Sequence, residues 1–177
     1  MTDVQGPPDQ DRRFRSVAGR FATGVAVATA RGHDGPVGMT VNSFTTVSLA
    51  PRMLLVCLKR DCRLLGAVQQ TSRFAITVLA DDQCDEAAWF ASRGRPAGVA
   101  GFADIPHDAE HDTGCPLLTE GVAYFGCEAV RAEPAGDHTV LMGAVRSSGL
   151  LRPKPPLLFV DGHYAQVAGL REAQVTR

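Results

Sequence analysis

Between Asp11 and Phe21 the apolar residues Phe14, Val17, Ala18 and Phe21 recur at i, i+3, i+4 and i+7, which predicts an amphipathic helix stopping near Gly24. The period then shortens. Val25 to Ala30, Val37 to Leu49, Met53 to Leu58 and Phe74 to Leu79 are β-branched or apolar runs separated by Gly, Pro, Asp and Ser, and they read as four strands. Two helices interrupt them. One runs from about Cys62 to Gln70 with Asp61 as N-cap and Leu64, Leu65 and Val68 inward, the other from Gln83 to Ser92 with Asp82 as N-cap. Val122 to Arg131, Thr139 to Arg146 and Leu157 to Val160 add three strands, with a hairpin turn at Pro134 to Asp137.

Arg93 to Gly114 holds four glycines and two prolines with little periodicity, and reads as a long loop that could serve a site or a partner surface. Seven short strands with few helices favour a mainly β (α+β) fold, an antiparallel closed or split β-barrel, over a doubly wound parallel sheet. A single domain over residues 11–170 is expected, with a flexible leader at 1–10 and a tail at 171–177.

Composition narrows the class. Hydrophobic residues make up 45% and charged residues 21%, as in an ordinary globular domain. No stretch approaches the roughly 18 apolar residues of a membrane-spanning helix, and Met1 to Gln10 is polar rather than basic then apolar. A cytoplasmic location is therefore expected. The net charge of −1 is spread along the chain and offers no field for nucleic acid or an anionic membrane. The five cysteines, Cys57, Cys62, Cys84, Cys115 and Cys127, are odd in number and lack C-x-x-C spacing, which argues for reduced thiols.

The stretch Gly38-Met39-Thr40-Val41-Asn42-Ser43-Phe44-Thr45-Thr46-Val47-Ser48 carries the most chemistry. Alternation puts Val37, Met39 and Val41 on one face and Thr40 and Asn42 on the other. Such a face can simply meet water, but no charge occurs from Pro36 to Pro51. A row of neutral donors and acceptors suits a flat, heteroatom-rich ligand with an apolar body.

Phe21-Ala22-Thr23-Gly24-Val25, Pro36 to Thr45, and Val47-Ser48-Leu49 with Pro51 together resemble the short-chain flavin reductases of two-component flavin monooxygenases. Arg73 to Ala80, Phe90-Ala91, Pro116-Leu117-Leu118, Gly136 to Thr139, Gly143-Ala144-Val145 and Pro156-Leu157-Leu158 follow in that family's order. The resemblance spans about residues 12 to 167. It implies a homodimeric FMN-binding split barrel that takes FMN or FAD and then NADH or NADPH, and releases reduced flavin to a partner monooxygenase. On that basis Thr40, Asn42 and Ser43 would hold the isoalloxazine edge, where charge develops on reduction and neutral donors are wanted. Thr46 and Ser48 would reach the ribityl chain or phosphate, and Cys57 would run beside the flavin. His138 would sit near the nicotinamide as the catalytic residue, or else cap the hairpin as a turn histidine. Tyr164 would cover the flavin or the dimer seam.

Two departures stand out. Lys59-Arg60-Asp61-Cys62-Arg63 lacks the hydroxyls that the family commonly has there, so Lys59, Arg60 and Arg63 would carry a phosphate instead, helped by the helix start; the same cations also suit a solvated helix end. His163 stands where an arginine is frequent. These departures keep two other functions open: a flavin carrier without turnover, and a barrel turned to a non-redox biosynthetic step. His107-Asp108-Ala109-Glu110-His111 has metal-ligand spacing, but Pro106 precedes it and no apolar face supports a helix; no metal is expected. Cys62 and Cys115 are possible nucleophiles without a nucleophile elbow, and no G-x-G-x-x-G is present.

Overall fold

A computed structural model describes residues 8–169. In chain order the elements are helix α1 (Pro8–Ala18), strands β1 (Thr23–Gly24), β2 (Ala26–Gly32), β3 (Gly35–Val41), β4 (Thr45–Leu49) and β5 (Arg52–Lys59), helix α2 (Arg63–Thr71), strand β6 (Arg73–Val78) and helix α3 (Cys84–Ala91). A 3-10 helix (Gly98–Phe102) precedes β7 (His107–Ala109), β8 (Pro116–Leu118), the long pair β9 (Ala123–Ala135) and β10 (His138–Leu150), then β11 (Leu158–Val160) and β12 (His163–Ala165). Most of the expected leader and the whole expected tail lie outside the described residues.

Seven strands form one antiparallel sheet in the order β3-β2-β6-β9-β10-β5-β4. Six of the expected runs supply them, because the run from Val37 to Leu49 is two strands rather than one. Asn42-Ser43-Phe44 turns the chain there, as Asn and Ser favour. The Ser43 hydroxyl then donates to the Cys57 carbonyl at 2.9 Å and accepts from the Cys57 amide at 3.2 Å. This clasp draws the end of β3 onto the middle of β5, so the sheet curls into an antiparallel split β-barrel. The seventh expected strand, now β11, leaves the main sheet to pair with β1 and β12.

Strand β2 is buried on both faces. Ala26, Ala28 and Ala30 pack with Leu54, Val56, Leu58, Phe74 and Ile76 beneath Leu64, Leu65 and Val68 of α2. Val25 and Val27 pack on the other side with Ala87 and Phe90 of α3 and with Phe102, Leu118 and Leu157. Each of the larger aliphatic side chains contributes about 1.5–3 kcal/mol by leaving water. Gly38 lets β3 press against α3 and the 3-10 helix, since a Cβ there would come within 2.7 Å of the Phe90 ring and 3.0 Å of Phe102.

Three local expectations are corrected. The N-cap of α2 is Cys62, whose Sγ accepts from the Leu65 amide at 3.4 Å; Asp61 lies one residue too early to reach it. The N-cap of α3 is Gln83, without a side-chain capping bond, and Asp82 is instead drawn away by Arg152 and Lys154. Helix α1 ends at Ala18, where the Gly19 amide closes on the Arg15 carbonyl, and its stripe finds no core: Phe14 is 73% and Val17 68% exposed.

Candidate functional site

A cleft of about 890 Å³ opens between the β3 edge, the turn after β5, the C-terminal end of α3 and the tip of the β9–β10 hairpin. Its floor is apolar, with Val37, Met39, Val41, Leu64 and Phe90. Its rim gathers Thr40, Asn42, Ser43, Cys57, Lys59, Arg60, Arg63 and His138, eight of the residues singled out from the sequence. Cross-strand register explains why they meet: His138 lies opposite Lys59 and Val140 opposite Cys57, while the Arg60 amide donates to the Asp137 carbonyl at 3.2 Å.

These rim groups differ in how much hydrogen-bonding capacity they keep. Thr40 donates its hydroxyl to the Ala87 carbonyl at 2.6 Å, which pins α3 to β3, and Ser43 is engaged with Cys57. Asn42 is exposed, and among the described residues its amide has no hydrogen-bond partner, so it is the uncharged rim group free to meet a ligand. Cys57 is half-buried and faces the cleft rather than the core. His138 Nδ1 stands 2.7 Å from an Asp137 carboxyl oxygen, and the imidazole keeps that carboxyl below its ordinary range. A carboxylate only accepts, so Nδ1 carries the hydrogen and Nε2 is the ring nitrogen left for a ligand.

Thr46, Ser48 and Tyr164 are not brought to the cleft. Thr46 and Ser48 lie on the edge strand β4, beyond the turn at Asn42 to Phe44 that ends the alternation assumed for one strand, and the pairing with β5 shifts register between them. Tyr164 lies on β12, its ring 5.7 Å from Phe159 and packed against the second core cluster.

The cleft thus offers an apolar floor, neutral donors and acceptors at one edge, and three cations where the sheet gives way to α2. Residues 18–168 match the family described as Flavin reductase like domain. The chain belongs to that flavin reductase family. It is 34% identical to a Streptomyces globisporus NADH-dependent FAD reductase over 95% of each chain. It is 36% identical to HsaB, the reductase subunit of a flavin-dependent monooxygenase from Rhodococcus jostii, over 88% of this chain and 77% of that one. Among solved structures, BorF, the flavin reductase component of a bacterial two-component tryptophan halogenase, superposes with a TM-score of 0.84 at 34% identity, covering 89% of this chain and 98% of that one.

In this flavin reductase the segment after α3 also lines the cleft, through Ser92, Arg93 and Arg95. Arg95 is only 8% exposed and donates to the carbonyls of Gly38 at 2.5 Å, Phe90 at 3.0 Å and Trp89 at 3.2 Å. Nothing in its Gly- and Pro-rich surroundings marks it in the sequence beyond its place in the loop at 93–114. That loop is also more ordered than its composition suggests, because it contains the 3-10 helix and β7, which pairs with β8.

A second polar cluster lies away from the cleft. Glu110 is 2% exposed and accepts from the Asp112 amide, the Thr113 amide and hydroxyl, and the Ser147 hydroxyl, all between 2.6 and 3.1 Å. Burial pushes its carboxyl up, but these donors together outweigh burial and hold it below the ordinary range. The same burial pushes the Cys127 thiol up to about 12 and raises Cys115, so neither is a ready thiolate. His107 lies in β7 and His111 beyond it, so the helical face that would set two imidazoles on one metal does not form. No described helix is long and apolar enough to cross a membrane.

Proposed function

We propose that this chain is an NAD(P)H:flavin oxidoreductase that reduces FMN or FAD and hands the reduced flavin to a partner monooxygenase. The observation that carries the reading is the cleft itself, where an apolar floor, uncharged hydrogen-bonding groups and a cationic turn converge beside His138. The dinucleotide supplies the hydride and the flavin ring accepts it, with NAD(P)H and a proton giving NAD(P)⁺ and reduced flavin.

The chain's own groups position and stabilise. Asn42, with the backbone around Thr40 and Ser43, fixes the ring edge where negative charge gathers; Val37, Met39 and Leu64 exclude water from the ring body. Lys59, Arg60 and Arg63 hold phosphate, with the first amides of α2 adding their dipole. His138 Nε2 accepts a hydrogen bond from the nicotinamide carboxamide and takes no proton in the step. Cys57 packs beside the ring.

The functional unit is a homodimer in the cytoplasm. Leu49, 89% exposed on β4, Leu150, 90% exposed on β10, and the apolar stripe of α1 support an assembly that covers them. Steady-state oxidation of NADH and NADPH under air, with and without FMN, FAD or riboflavin, tests the reading. Oxidation that depends on added flavin supports it. Flavin binding without oxidation would make the protein a carrier, and neither binding nor oxidation would mean that the barrel serves other chemistry.

A further inference from the structure

Beside the large cleft lies a smaller cavity of about 230 Å³, bounded by the β2–β3 hairpin end, one face of α2 and the segment from Arg95 to Gly98. Val37, Gly38, Arg63 and Arg95 line both spaces, so the two adjoin. The smaller one is walled chiefly by Gly32, Pro36, Gly66, Ala67, Pro96 and Phe102, the surface of a slot for a flat ring.

Gly66 carries the argument further. It sits within α2, where glycine costs about 1 kcal/mol relative to alanine. Its φ is not in the left-handed region, and a Cβ there would meet nothing within 4 Å. Packing gives no reason for glycine; what glycine does is keep the slot open.

Two arginines, Arg63 and Arg95, stand where the two spaces adjoin. Among the described residues neither Arg63 nor Arg95 has a carboxylate within salt-bridge distance. Arg95 is buried with only backbone carbonyls and the Phe90 ring, 4.8 Å from its guanidinium carbon, for company. Burial and then the charge of Arg63 both lower its hold on its proton. Arg63 is exposed, but Arg95 is buried, and buried charge is ordinarily paired, so the ground shared by the two arginines suits an anion. At the far end Gln70 accepts from the His33 amide through Oε1 at 2.9 Å, which leaves its NH₂ group to donate, and Asp34 offers a carboxylate acceptor. A donor and an acceptor together match a ring nitrogen and an exocyclic amine.

We propose that this smaller cavity receives the adenosine half of FAD, with the diphosphate between Arg63 and Arg95, so that the protein discriminates in favour of FAD over FMN. The assignment rests on the flavin reading of the large cleft, and its test separates the two. Calorimetric titration of FAD, FMN and riboflavin into the wild-type protein is expected to show FAD binding at least about tenfold tighter than FMN. In Gly66→Leu, which lines only the small cavity, that margin collapses. ADP is expected to compete with FAD and not with riboflavin in the wild-type protein, a measurement that needs no variant to fold.

FAD no tighter than FMN, or a margin that survives Gly66→Leu, overturns the assignment while leaving the flavin reading intact. A rise in the KM for NADH in Gly66→Leu at an unchanged FAD-to-FMN ratio also overturns it, since the slot would then hold the adenosine of the nicotinamide dinucleotide. Failure of all three flavins to bind overturns both readings.

Discussion

The rim of the cleft and the cluster around Glu110 are built from similar groups and do opposite things. Glu110 is buried, and its carboxylate takes four donors from its own chain, so every polar atom brought out of water is repaid within the fold. The rim of the cleft holds hydroxyls, an amide and three cations as well, yet Asn42, Lys59, Arg60 and Arg63 have no such partners among the described residues and face open space. The difference lies in who satisfies the group. A polar cluster closed on itself stabilises the fold; one left open waits for a ligand.

The largest expected effect breaks the closed cluster. Glu110→Ala leaves four donors without their acceptor and is expected to lower the unfolding free energy by about 3 kcal/mol in urea titration, with the KM for flavin unchanged in the fraction that folds. Asn42→Leu should do the reverse. Flavin affinity is expected to fall about tenfold, with unfolding stability moved by less than about 0.5 kcal/mol. An Asn42→Leu variant that binds flavin as the wild type does would remove Asn42 from the site.

Smaller effects sharpen the contrast. The double change Lys59→Gln, Arg60→Gln is expected to weaken FMN about threefold at low salt and riboflavin not at all, with the gap closing at high salt. Acid titration should expose Glu110 a second way. Its folded pKa lies below the ordinary value, so its contribution is present above the unfolded pKa and lost as pH falls through the folded one. Stability measured by denaturant should therefore drop as pH falls through and below the usual carboxylate range, with a shallower drop in Glu110→Gln.

Much of the barrel was legible because its strands are short, apolar and punctuated. The helices around Cys62 to Gln70 and Gln83 to Ser92 were legible too, within a residue or two at each end. Their caps were not, because Asp61 is the better capping residue by type while Cys62 holds the position. That candidate residues share one cleft was legible where strand alternation and turn chemistry are local, as at Thr40 and Asn42. Thr46 and Ser48, expected at the ligand from the family resemblance, lie past the turn at Ser43 on the edge strand, and that turn is fixed by a bond to Cys57, fourteen residues away. Arg95 was hidden for a related reason: its three carbonyl partners come from α3 and β3, and no local pattern announces them.

The most direct test of the account is anaerobic mixing of catalytic amounts of the protein with NADH and a larger amount of FAD, following the absorbance of oxidised flavin. The account predicts that the flavin is bleached completely over many turnovers, one NADH consumed for each flavin, and that Asn42→Leu slows this by raising the flavin concentration required. Flavin that binds and keeps its oxidised spectrum in the presence of NADH would contradict it.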